Sequence, residues 1–453
     1  MPTAFSDTGS VVIPDNWWTA FGDEALNDRM ERALSFNLSL EAVWLRLMEA
    51  QAVITRESAS LYPSVDAFFE GAAGSGSGGS SSFQEFGAGL NASYEVDLWG
   101  RIRSLVDAER FRAEATFYDY QTAALTLTAQ VAVTYYQLVE AQNQRDLLLE
   151  QIKVNEQVYG SLKARFSSGL IRSADLIRQQ QLIEATREQV IVVEARIGVL
   201  ENALAVLEGK PPEVGEPVAD ERLPELPPMP STGVPAALVQ RRPDVQAAYF
   251  VVKAANADLA AAITNQYPRL SLDAAIFTVG ETPSDLFGSW IRSIAGQIVA
   301  PVFDAGRRAA EVDRNQALQQ RRVMEYGQVV LDAFQEVEDA LVREQKQVER
   351  IASIEEQLRL ARMSYQRLQI EYFNGVTEYL DVLTALIEEQ RLQRQLLEGR
   401  RTLIEFRIAL YRALAGSIET DREVVAALIQ ETEDEEYATW LSRQRPGNPT
   451  RNQ

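Results

Sequence analysis

Neither cysteine nor histidine occurs anywhere in the 453 residues. Their absence removes the commonest zinc and copper ligands, the usual triad base and the thiol nucleophile. No disulfide can form, so cysteine usage says nothing of the redox compartment. Basic residues are in deficit: 44 Lys and Arg stand against 65 Asp and Glu, a formal net charge of −21. A surface of that sign repels phosphate and argues against nucleic acid as a partner. No stretch approaches the ~20 apolar residues of a membrane helix. The N-terminus, MPTAFSDTGSVVIPDNWW, lacks the basic region and apolar core of a signal peptide. It predicts either a cytoplasmic protein or a processed chain carrying a new Met1. Nothing in the remaining carboxylates forms a nucleophile–base pair, so the expectation is no enzyme and no cofactor.

Proline is also missing between Pro63 and Pro211, and a different signal fills that space. In FGAGLNASYEV, Phe86, Ala88, Leu90, Ala92, Tyr94 and Val96 alternate with Gly87, Gly89, Asn91, Ser93 and Glu95. Period two predicts a strand with one apolar and one polar face. A helical pattern then runs from about residue 101 to 166. At ~1.5 Å per residue, such a helix is on the order of 100 Å long.

The chain is one pattern written twice. Tyr62-Pro63 returns as Tyr267-Pro268, Gly100-Arg101 as Gly306-Arg307, Gly169 as Gly375, Asp175 as Asp381 and Gly209 as Gly416. The offsets stay within 205–207 residues, as expected of an internal repeat. Each copy reads as a helical segment (24–60; 234–266), two strands (64–70 and 84–97; 269–279 and 291–303), a long helix (101–166; 307–372), a turn and a returning helix. GAAGSGSGGSSS (71–82) predicts a flexible loop, and GETPSD (280–285) is its counterpart. The expected divisions are 1–210 for the first repeat, 211–233 for a proline-rich extended linker, 234–416 for the second repeat and 417–453 for an acidic tail.

Both long helices carry a seven-residue apolar period. Ile351, Ile354, Leu358, Ala361, Tyr365, Leu368 and Tyr372 form one register; Leu148, Ile152, Asn155, Tyr159, Leu162 and Phe166 form the other. The pattern predicts supercoiled hairpins. Four strands cannot close a barrel alone and would leave bare edges, whereas three chains supply twelve. The outer face would then meet lipid and the inner face water. Ile291, Ala295 and Val299 depart from this, since they fall on the wet face. A soluble four-stranded sheet packed on helices fits the same pattern.

SYEVDLWGRIRS, PVFDAGRRAAEV and the turns FSSGL…D and YFNGV…LDV resemble outer-membrane efflux channels of the TolC type, in the branch of OprM-like and NodT-like proteins. The likeness runs from about Trp17 to Gly416. It implies a mainly α fold with a membrane β-barrel: a homotrimer whose twelve-stranded barrel continues into a long α-helical barrel. It implies a passive exit duct in the bacterial outer membrane, extending into the periplasm and gated at its helical tip. Small molecules such as drugs or detergents would be exported. The implied partners are a periplasmic adaptor, an inner-membrane transporter and outer-membrane lipid. Many members of that branch begin with a lipid-modified cysteine, which this chain lacks. A soluble or periplasmic coiled-coil scaffold or adaptor without a pore is the alternative. Adaptors usually carry one hairpin and a lipoyl-like domain, and two hairpins without such a domain are present here.

The turns are where such a gate would sit. Gly169 and Gly375 suit helix C-caps, which need a left-handed residue. By resemblance these turns, with Leu170 and Val376, meet the adaptor. Asp175 and Asp381 lie in the first turns of the returning helices, where a carboxylate is stabilised by the helix N-terminus. In a trimer, one inward aspartate becomes a ring of three. By resemblance Asp381 belongs to a selectivity ring, and Thr384 stands where a second aspartate is found. The family's tip lock joins a tyrosine, an arginine and an aspartate. Tyr372 and Asp175 match the first and last, Thr377 replaces the arginine, and Arg172 in the other turn is a candidate substitute.

Overall fold

The computed structural model describes residues 4–75, 82–212, 222–416 and 418. They divide into two compact units. One takes its residues from Met1–Leu40, Ala124–Leu238 and Glu336–Gln453, the other from Glu41–Ala123 and Val239–Gln335.

In chain order the elements are α1 (Glu24–Phe36), α2 (Leu38–Ser58), β1 (Ser64–Ser75), β2 (Ser82–Val96), α3 (Arg101–Ser167), α4 (Ser173–Leu207), α5 (Pro235–Arg241), α6 (Pro243–Thr264), β3 (Arg269–Gly280), β4 (Ile291–Val299), α7 (Arg307–Phe373) and α8 (Tyr379–Leu414). Arg101, Ser167 and Ser173 recur 206 residues later as Arg307, Phe373 and Tyr379, so the repeat governs element boundaries too. The two helical segments expected to be continuous are each broken. Asn37 is extended and its side chain caps the Leu40 amide at 2.9 Å, separating α1 from α2. Pro243 opens α6, and Arg242 before it is extended, so α5 ends at Arg241.

The four strands form one antiparallel sheet in the order β1-β2-β3-β4. Strand β1 runs further than expected. Gly71, Ala72 and Ala73 pair with Phe86, Glu85 and Gln84, because ladder hydrogen bonds need no side chain. Only 76–81 of the expected loop lies outside the described residues. Strand β4 stops at Val299, short of the expected 303, ahead of Pro301, which has no N–H to donate.

Register separates two faces. Val65, Ala67 and Phe69 lie opposite Ala92, Leu90 and Ala88; these continue across Ala274, Ile276 and Thr278 to Ile294 and Arg292. The other face carries Asp66, Glu70, Glu85, Glu95 and Asp273, with Ser93, Asn91 and Ser293. All five strand carboxylates therefore share one face. Among the described residues both edges, β1 and β4, are unpaired, and β4 is exposed along its whole length.

At the strand–helix junctions Gly100 and Gly306 take φ of 79° and 86°, which favours glycine. The Asp97 carboxylate accepts from the Ile102 and Arg103 amides at 3.1 and 3.0 Å. Asp304 accepts from the Gly306 and Arg308 amides in the second copy. A two-faced strand thus enters a long helix through a glycine turn capped by an aspartate.

In the other unit, α1 is held to the end of α4 by Arg29 and Arg32, which pair with Glu208 at 2.6 and 2.9 Å. Trp17 is fully buried, stacks on Tyr411 and donates to Thr128 at 3.2 Å. Arg407 pairs with Glu344 in the core and donates to the Pro228 carbonyl of the linker at 3.0 Å. Linker residues 213–221, and the acidic tail apart from Ile418, lie outside the described residues. No described helix is long and apolar enough to cross a membrane.

Candidate functional site

The ends of α3 and α7 and the starts of α4 and α8 belong to one unit. Gly169 has φ 69°; its amide donates to Phe166 at 2.9 Å and the Leu170 amide donates to Arg165 at 3.0 Å. Gly375 has φ 73°; its amide donates to Tyr372 at 3.0 Å and the Val376 amide donates to Glu371 at 2.9 Å. Both turns are Schellman caps, the structural role expected of the two glycines. In such caps the residue after glycine often packs on the helix. Here Leu170 and Val376 are 67 % and 74 % exposed, so each turn presents an apolar side chain to its surroundings.

Beneath the turns Leu162, Tyr372, Tyr379, Val382 and Leu383 form a buried cluster. The Tyr372 ring lies 5.5 Å from that of Tyr379, and the Arg165 guanidinium sits over the Tyr372 ring at 4.9 Å. Among the described residues, neither the Tyr372 hydroxyl nor Arg165 Nε has a hydrogen-bond partner, though both are buried. Burial raises the Tyr372 pKa; Arg165 opposes that shift and the Asp175 carboxylate reinforces it.

The other expected site residues are placed as follows. Asp175 is buried and its nearest ionic partner is Arg178 at 3.6 Å, one turn along. Thr377 donates to the Asp381 carboxylate at 2.6 Å. Asp381 and Thr384 are both exposed, one turn apart on α8. Arg172 pairs with Glu378 at 3.2 Å, and both are exposed. These two are the residues preceding α4 and α8 and are related by the 206-residue repeat, so equivalent positions of the two turns bond each other. Within the chain Arg172 is therefore engaged with the opposite turn, and the Tyr372 ring has Arg165 as its cation.

A buried amide ladder begins at Tyr379. Its hydroxyl donates to Gln179 Oε1 at 2.6 Å, Gln179 Nε2 donates to the Asn155 carbonyl at 2.8 Å, and Gln390 Nε2 donates to Asn155 Oδ1 at 2.9 Å. Gln151 extends it, donating to the Gln390 carbonyl at 3.2 Å and to Gln393 Oε1 at 2.8 Å. Asn155 was legible as a polar member of the heptad, but its partners lie 24 and 235 residues away, and no sequence spacing joins them. Arg165 and Glu378 were likewise not anticipated; the repeat offset from Arg172 was the available signal for Glu378.

The family described as outer membrane efflux protein matches residues 30–210 and 234–416. The chain belongs to this family. The cation efflux system protein CusC of Escherichia coli is 30 % identical over 434 residues, covering 91 % of this chain and 92 % of CusC. The pyoverdine export outer membrane protein OpmQ of Pseudomonas aeruginosa is 28 % identical, with 90 % and 89 % covered. The solved open-state outer membrane channel MtrE of Neisseria gonorrhoeae superposes with a TM-score of 0.83 at 25 % identity, covering 92 % of this chain and 96 % of that one.

Like other members of its family, this chain is an outer-membrane channel that extends into the periplasm, and its relatives are channels, not enzymes. Three chains bring twelve strands into one β-barrel that continues as an α-helical barrel. Closing such a barrel would pair β1 and β4 with strands of neighbouring chains and remove the bare edges. In such a barrel one sheet face carries all five strand carboxylates and the other carries none. Ile291, Ala295 and Val299 do lie on that polar face, as the alternation requires.

Proposed function

We propose that this chain is the passive exit duct of a tripartite pump for small molecules, gated at the turns that end α3 and α7. The pair of equivalent Schellman turns carries this reading. Their glycine caps leave backbone and the Leu170 and Val376 side chains accessible at matched positions. Gly169, Leu170, Gly375 and Val376 are the contacts for a periplasmic adaptor coupled to an inner-membrane transporter. The relatives are named for exporting cations and pyoverdine, so small solutes of several chemistries pass through this architecture.

Asp381, exposed at the start of α8, supplies the charge of the constriction ring, and Thr384 one turn on is its neutral neighbour. The resting gate uses Tyr372 and Asp175, with Arg165 as the cation beside the Tyr372 ring. Thr377 tunes the ring through its bond to Asp381, and Arg172 ties the two turns of one chain through Glu378.

The test is export in a deletion strain complemented with the Leu170→Asp and Val376→Asp double variant. Full-length trimers should reach the outer membrane, and resistance to the pump's cargo should be lost. Undiminished resistance would remove the turns from the coupling surface.

A further inference from the structure

The sheet register places one apolar row on the polar face. Phe68 lies opposite Gly89, Gly89 opposite Phe277 and Phe277 opposite Ile291, so a single level crosses all four strands. The level on the helix side reads Asp66, Asn91, Ala275, Ser293, and the level on the hairpin side contains Glu70, Gly87 and Val279. Carboxylates therefore stand on both sides of the row. Phe68 is 36 % and Ile291 50 % exposed in the chain.

Gly89 is needed at this level. A Cβ there would lie 2.6 Å from the Phe277 Cβ and 2.5 Å from the Ile276 carbonyl oxygen, so the place is taken by Phe277. The plainest role of Phe277 is to cover that glycine, as aromatics do across strands. It leaves Phe68 and Ile291 unexplained, since both are apolar residues on a face that otherwise meets water.

We infer that Phe68, Phe277 and Ile291 of the three chains form an apolar collar inside the barrel that binds solutes combining an aromatic or apolar face with a positive charge. This rests on the reading that the polar face lines the lumen of an export channel, and it names the cargo chemistry that the barrel favours. A twelve-stranded barrel is too wide for these side chains to seal it. The collar instead offers aromatic faces to passing solutes, while Asp66 and Glu70 attract their charge. Contacts of this size hold a solute only weakly, which suits an exit path.

The cysteine-free chain permits a unique probe. Ser293→Cys places one thiol on the level next to the collar, and its reaction with a water-soluble methanethiosulfonate is timed in the purified trimer. Benzyltrimethylammonium should protect this thiol at concentrations roughly tenfold lower than tetramethylammonium, which has the same charge without the ring. Adding Phe68→Ser should reduce that preference to about threefold or less. Phe69→Ser, on the opposite face, should leave it unchanged. If Phe68→Ser does not assemble, Phe68→Leu keeps the bulk and should also lower the preference. A reactive thiol with no preference for the aromatic cation overturns the collar alone. An unreactive thiol overturns the lumen assignment and the collar with it.

Discussion

Removing a single oxygen from Tyr379 should loosen the turn region without disturbing its packing. In the folded chain the Tyr379 hydroxyl donates to Gln179 Oε1 at 2.6 Å, and Gln179 is fully buried. Tyr379→Phe preserves the ring, which contacts Tyr372 at 5.5 Å, but strands a buried amide oxygen. An orphaned buried acceptor costs about 1–3 kcal/mol. At about 2 kcal/mol per chain, the local opening equilibrium shifts by about thirtyfold. Hydrogen exchange on the assembled trimer reads this directly, over the first three turns of α4 and α8. Protection there should fall, while β2 and β3 keep theirs. Adding Gln179→Leu removes the stranded oxygen. It also releases the Asn155 carbonyl, which lies in mid-helix and whose helix bond is independent of that side chain. The double variant should therefore exchange more slowly than Tyr379→Phe alone. Unchanged protection in the single variant, or a double variant worse than the single, would refute the ladder as a determinant of turn stability.

Asp381→Asn removes three charges per trimer at one level; cation selectivity in planar bilayers should fall, with trimer yield unchanged. Thr384→Asp, one turn along the same exposed face, should raise selectivity and strengthen block by multivalent cations. Asp175→Asn should raise open probability if the carboxylate holds the resting gate, and unchanged conductance would reduce Asp175 to a helix-end residue. Burial raises the Tyr372 and Tyr379 hydroxyls above their ordinary value of 10.0. Their contribution is therefore full below pH 10 and is lost as pH rises through the folded values. Hydrogen exchange in the turn region, corrected for its intrinsic pH dependence, should accelerate above pH 10, and less in Tyr379→Phe.

The repeat and the period-two and period-seven patterns made most of the architecture legible. Boundaries failed where chemistry overrode composition. Gly71–Ala73 look like loop because they carry no packing side chains, yet their backbone pairs with Phe86, Glu85 and Gln84. Pro301 was visible in the sequence, but its consequence for β4 depended on where pairing ended. At the site, Gly169 and Gly375 revealed the caps because only a left-handed residue suits them. Tyr379 and Gln179 were illegible: each is an ordinary helix residue until four helices bring them within 2.6 Å. The polar-face row of Phe68, Phe277 and Ile291 required the register between strands, which alternation within one strand does not supply.

The mass of the detergent-solubilised protein, measured by light scattering with the detergent subtracted, tests the central claim most directly. Four strands with two bare edges cannot close alone, so the channel requires three chains of 50.6 kDa. The expected result is a single species at three times the chain mass. A stable species at the mass of one chain would contradict both the barrel and the duct.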